Sequence, residues 1–95
     1  MPQQRVFFRM HAIRRMCERD ISVEDVANVL AMGESIERYP DDTPYPSRLV
    51  LGFVGNRPLH VVAADNTADQ ETIVVTVYEP SPDMWDAAFR RRQRP

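Results

Sequence analysis

At 95 residues, with 43% hydrophobic residues and a formal net charge of −2, the chain has the size and composition of one globular domain around a single core. No stretch approaches the roughly 18 apolar residues of a membrane span, and the opening M-P-Q-Q-R-V-F-F lacks the apolar region of a secretion signal. The single cysteine, Cys17, rules out an internal disulfide and a cysteine-based zinc site, so the expectation is a cytoplasmic domain without metal or cofactor.

The small net charge conceals a segregation. Residues 1–19 carry five arginines against Glu18 alone, the tail carries Arg90, Arg91, Arg92 and Arg94, and residues 20–89 carry three arginines against thirteen acids. Basic ends on an acidic body suit an anionic ligand if the ends lie side by side. Every basic residue is arginine, so any phosphate contact would be a planar fork.

In chain order, Arg5 to Phe8 predicts a short edge strand. From Met10 to Ser22 the apolar residues recur at helical spacing: Met10, Ile13, Met16 and Cys17 form the expected buried stripe, with Cys17 as a small core residue. The other side carries His11, Arg14, Arg15 and Glu18, a face that is either solvated or able to hold phosphate. Ser22 with Asp25 reads as a capping box opening a second helix on Val23, Val26, Ala27, Val29 and Leu30, which Gly33 ends. Glu34 to Tyr39 predicts a short strand, and Pro40, Pro44 and Pro46 predict an exposed loop.

Three strand signals follow, Arg48 to Val54, Leu59 to Asp65 and Thr72 to Tyr78, the first two joined by a G-N-R-P hairpin turn. Simple alternation puts Leu49, Leu51, Phe53, Leu59, Val61, Ala63, Ile73, Val75 and Val77 on one apolar face, for the helices to cover. The opposite face then holds Arg48, Val50, Gly52, Val54, His60, Val62, Ala64, Val74, Thr76 and Tyr78. Small apolar residues around an arginine, a histidine and a tyrosine suit a shallow groove, a homodimer interface, or a surface covered by the tail. In that tail, Ser81, Pro82, Met84, Trp85, Ala88 and Phe89 predict a capped C-terminal helix docked through Trp85. The expected fold is α+β, with two N-terminal helices on an antiparallel sheet of four or five strands, and a C-terminal helix.

No P-loop, dinucleotide turn, C-x-x-C or metal-spaced cluster is present. Two histidines, a tyrosine and many arginines are the inventory of a metal-independent RNA phosphodiesterase. In such chemistry the 2′-OH attacks, a base and an acid move protons, and arginine stabilises the phosphorane.

The strings H-A-x-x-R-M-x-E-R-x-I-S (His11 to Ser22), Asp25-Val26, Leu30 with Gly33, P-L-H-V-V (Pro58 to Val62) and T-V-Y-x-P (Thr76 to Pro80), with Trp85, resemble an uncharacterised bacterial domain family. The resemblance spans about residues 8–92. That family is placed with the RelE-like, barnase-type fold, and the resemblance implies a toxin of a toxin–antitoxin pair, often beside a zinc-finger antitoxin. It carries His11, Arg15, His60 and Tyr78 over as site residues. The expected function is an endoribonuclease neutralised by a partner, with His11 and His60 as the proton-transfer pair and Tyr78 orienting the phosphate or a base. Arg14, Arg15, Arg48, Arg90 and Arg91 are expected to bind substrate. The alternative class is a non-catalytic binding module, ParE-like or regulatory, using the same surface.

Overall fold

A computed structural model describes residues 5–93; Arg94, counted above in the basic tail, lies outside the described residues. Strand β1 (Arg5–Phe8) leads into helix α1 (Met10–Arg19) and helix α2 (Val23–Met32), followed by β2 (Glu34–Tyr39), β3 (Ser47–Val54), β4 (Arg57–Asn66) and β5 (Glu71–Tyr78). The five strands form one sheet in the order β1-β5-β4-β3-β2, with β1 parallel to β5 and every other pair antiparallel. The sheet is therefore mixed, not purely antiparallel. The chain leaves β1 through the two helices and re-enters the sheet at the opposite edge as β2, and the meander β2 to β5 brings the last strand back beside β1.

Local chemistry explains the helix pair. Helix α1 ends at Asp20 in the left-handed region (φ 55°), and the Ile21 N–H reaches the Met16 carbonyl at 2.8 Å, which drops the Ile21 side chain into the core. From β4, Arg57 donates to the carbonyls of Arg19 and Asp20 and pairs with Glu79 at 2.6 Å, placing a cation on the helix C-terminus. Helix α2 opens with the expected capping box, Asp25 N–H to Ser22 Oγ at 3.0 Å and Ser22 N–H to Asp25 Oδ2 at 3.1 Å. At Gly33, where α2 turns into β2, a Cβ would stand 2.6 Å from the Leu51 carbonyl oxygen, and one on Gly52 would stand 2.8 Å from a Val29 methyl. Both glycines let α2 sit directly on β3.

Helix α1 rolls about its axis relative to the expected stripe. Ala12 and Met16 are buried, whereas Met10 is 69% and Ile13 42% exposed and Cys17 is exposed. The smaller Ala12 lets the helix approach β5 closely, which turns Met10, Ile13 and Cys17 outward; the assignment of Cys17 to the core is corrected.

The hairpin register overturns part of the face assignment. The turn at Gly55 and Asn56 pairs Val54 with Arg57, so Val50 faces Val61, Gly52 faces Leu59, and Leu51 faces His60. Cross-strand partners share a face, so even-numbered β3 residues join odd-numbered β4 residues beneath the helices. In β5 an extra residue, Val75, interrupts the ladder between the pairs Val62–Thr76 and Ala63–Val74. Val74 and Val77, three apart, therefore both enter the helix-side core with Ala12, Met16, Ile21, Val26, Val29, Val50, Leu59 and Val61. Leu49, Leu51, Phe53, His60, Val62, Ala64, Ile73, Thr76 and Tyr78 line the opposite face.

The C-terminal helix is absent. Residues 81–93 instead fold as turns across the face opposite the helices, closed by an antiparallel bridge between Trp85 and Arg92. Asp86 diverts the local backbone: its carboxylate accepts from the Arg90 N–H at 3.0 Å and its own N–H donates to the Arg91 carbonyl at 2.8 Å. Phe89, at φ 61°, then reverses the chain. Side-chain competition for backbone donors outweighs the helical spacing of Met84, Trp85, Ala88 and Phe89.

Candidate functional site

The face turned away from the helices is divided in two. At the end of β5, Tyr78 is the direct partner of His60 across the ladder, and the phenol lies 3.1 Å from His60 Nδ1. His60 Nε2 is 2.8 Å from the Phe89 carbonyl oxygen. A carbonyl only accepts, so Nε2 carries the proton, and Nδ1 accepts from the Tyr78 hydroxyl. Trp85, 3% exposed, closes over the imidazole edge-on with ring centroids 4.4 Å apart, and His60 itself is 0% exposed.

Burial pushes the His60 imidazole below its ordinary value, Arg92 adds to that, and the Phe89 carbonyl and the Glu37 charge oppose it. Burial likewise raises Tyr78, which keeps the phenol protonated and donating. The expected proximity of His60 and Tyr78 holds. The expected catalytic part of His60 does not fit this geometry, because both ring nitrogens are occupied and no solvent or substrate reaches them. In this arrangement His60 is a positioning residue for Tyr78.

Three residues of this cluster were missed in the sequence. The Tyr39 hydroxyl donates to Glu37, and burial together with that carboxylate pushes the Tyr39 phenol up to about 12. Glu37 and Arg92 both act on the charges of Tyr39, His60 and Tyr78, while the Arg92 guanidinium lies 5.2 Å from the Trp85 ring centroid. Alternation along E-S-I-E-R-Y was the available signal, since it sets Glu37 and Tyr39 on one face.

The second half of the face is open. His11, at the start of α1, is exposed and its Nε2 lies 3.1 Å from Thr76 Oγ1. Thr76 is two residues before Tyr78 on the same strand. The cross-strand row Thr76–Val62–Leu49–Glu37 spans four strands, so Thr76, the partner of His11, and Glu37 stand about 14 Å apart at three inter-strand spacings. Between the start of α1 and the proline loop, Arg9, Asp42, Thr43, Pro44, Tyr45, Ser47, Val62, Ala64 and Val75 line a cavity of about 130 Å³.

The arginines scatter. Arg14 and Arg15 are exposed on α1, with Arg15 3.5 Å from Glu18. Arg90 pairs with Glu34, and Arg91 is exposed. Arg48 is corrected: the hairpin register puts it on the helix side of the sheet, where it binds Asp65 at 2.8 Å, and Asp65 also accepts from Thr72 at 3.0 Å. It does not reach the face that holds His60 and Tyr78. A larger cavity, about 620 Å³, lies between α2 and the end of β3 beside Met32, Phe53 and Arg90.

Among the described residues no group of three or more His, Cys, Asp or Glu side chains is placed to hold a metal ion, and no helix is long and apolar enough to cross a membrane. The family model described as a domain of unknown function, DUF4258, matches residues 8–79. Neither a curated protein nor a solved structure matches the chain.

Proposed function

We propose that the chain, which belongs to the DUF4258 family, is an RNA-directed domain acting on the open sheet face, a metal-independent endoribonuclease of the toxin type that an antitoxin partner neutralises. The observation that carries this reading is the exposed His11 held against Thr76, beside the exposed Arg9, Arg14 and Arg15 at the start of α1. His11 is the proton-transfer group for the 2′-OH or the leaving oxygen and arginine forks neutralise the phosphate charge, while the Tyr78 hydroxyl, committed to His60 Nδ1, takes no part. The toxin context rests on the resemblance of His11 to Ser22 and Thr76 to Pro80 to an uncharacterised bacterial domain family that is placed with RelE-like toxins.

A second reading, a non-catalytic RNA- or partner-binding module, is favoured by one observation: the seal over His60 leaves His11 as the accessible imidazole, and a single group in place of an acid–base pair suits binding better than turnover. One experiment separates the two. The purified chain is incubated with labelled RNA in chelator. Cleavage leaving 2′,3′-cyclic phosphate ends, lost in His11→Ala at unchanged melting temperature, supports the nuclease. Binding without cleavage moves the assignment to the module, and no binding at low salt sinks both.

A further inference from the structure

The helix side of the sheet is not covered to its end. Helix α1 packs on β5 and helix α2 on β3 and β4, and where β1 and β5 begin they leave a cleft of about 290 Å³ lined by Val6, Ala27, Leu30, Ala31, Arg48 and Thr72. Four of these six side chains are aliphatic. The polar end is a single network: Arg48 Nε donates to Asp65 Oδ2 at 2.8 Å and the buried Thr72 hydroxyl donates to Asp65 Oδ1 at 3.0 Å, so both carboxylate oxygens are taken. That bond anchors the Arg48 side chain by Nε, and neither of its Nη groups has a partner among the described residues. Arg38 is the direct cross-strand partner of Arg48, which puts it on the same side of the sheet, and it has no ion pair among the described residues. Like charges set opposite each other destabilise a sheet. One carboxylate, shared with Thr72, does not balance two guanidinium groups, so this end of the cleft carries an uncompensated positive charge.

We propose that this cleft is a binding site for a carboxylate carried on a short aliphatic body. The Nη groups of Arg48 present N–H donors in the fixed fork that matches the two oxygens of a carboxylate, and Arg38 adds charge from the next strand. The side chains of Val6, Ala27, Leu30 and Ala31 offer no donor or acceptor, so the remainder of the ligand is apolar. A nucleotide would turn its hydroxyls and ring nitrogens against those methyl groups at a desolvation cost, and inorganic phosphate would gain the charge contact without the walls. The size agrees, since small-molecule pockets begin at roughly 300 Å³. A free branched acid and the C-terminal leucine of a peptide share this chemistry. The cleft lies on the side of the sheet away from Thr76 and Tyr78, so the inference stands independently of the RNA reading.

The test is calorimetric titration of the full chain with 4-methylpentanoate, its neutral amide, acetate, inorganic phosphate and N-acetyl-leucine. 4-Methylpentanoate is expected to bind about tenfold or more tightly than acetate, because of the apolar surface it buries, and about tenfold more tightly than its amide, which lacks the charged pair with arginine. Ala27→Leu, at an exposed helix position, fills the cleft and should lower that affinity about tenfold at an unchanged melting temperature. Arg38→Gln, on the surface, should weaken binding and leave the melting temperature alone, and Arg48→Met should remove binding at some cost in stability. N-acetyl-leucine held at least as tightly as 4-methylpentanoate assigns the site to a chain terminus; weaker or absent binding of N-acetyl-leucine beside a bound 4-methylpentanoate assigns it to a free acid, and both support the site. Equal affinity for acid and amide, phosphate held as tightly as the acid, binding of neither acid, or affinity untouched by Ala27→Leu overturns it.

Discussion

The two histidines, His60 within β4 and His11 on α1 against β5, live in opposite environments. His60 is enclosed by Trp85, Tyr78 and the Phe89 carbonyl, and every polar atom of its ring is used. His11 is exposed, with one hydrogen bond to Thr76. Residues 81–93 make the difference, because they cross only the end of the face where β5 finishes. A histidine in a strand of small apolar residues signals that something polar is needed there, and for His60 the need is structural.

The largest expected effect tests the sealed half. Trp85→Ala removes the cover from His60 and should cost about 3–5 kcal/mol in denaturant unfolding, as truncation of a buried tryptophan does. Full stability in that variant would show that residues 81–93 do not seal the face. His60→Ala should follow at about 1–3 kcal/mol, since it strands the Tyr78 hydroxyl and the Phe89 carbonyl beneath Trp85. By contrast His11→Ala should leave the unfolding midpoint almost unmoved while abolishing cleavage, and reversal of that order would exchange the parts of the two histidines.

The same contrast has a pH signature. His60 titrates lower in the folded chain than its ordinary 6.5, so below that value the unfolded chain binds the proton more readily. Stability is therefore fully present above about pH 6.5 and declines as pH falls toward the lowered folded value. Unfolding curves recorded from pH 8 down to about 5 should show the loss, and His60→Leu should flatten it. A wild-type profile without slope in that window contradicts the buried neutral imidazole.

On the open half, RNA affinity should fall steeply with salt, and each of Arg9→Ala and Arg14→Ala should lower the log–log slope by about one. Filter binding at several salt concentrations measures this. The smallest effect is reserved for Arg48: Arg48→Met should cost about 1 kcal/mol through the half-exposed pair with Asp65 and leave RNA affinity alone. A drop in affinity there would mean that RNA reaches the helix side.

What could be read from the residues alone was whatever depends on near neighbours in the chain. The capping box at Ser22 and Asp25, the stop at Gly33, the proline loop and the β-runs all appear where local propensity put them, and the adjacency of His60 and Tyr78 followed from joining two strands by one loop. Faces are different, because a period of two is reset by a single residue. The length of the turn at Gly55 decided that Val50, and not Leu51, lies under the helices, and the extra residue Val75 put Val74 beside Val77 in the core. Arg48 changed sides for that reason alone. The tail shows the stronger limit: helical spacing over Met84 to Phe89 was outweighed by Asp86 bonding to nearby N–H groups and by the docking of Trp85 on His60. Burial of an imidazole is a property of what lies above it, and only the folded chain brings Trp85 and Phe89 there.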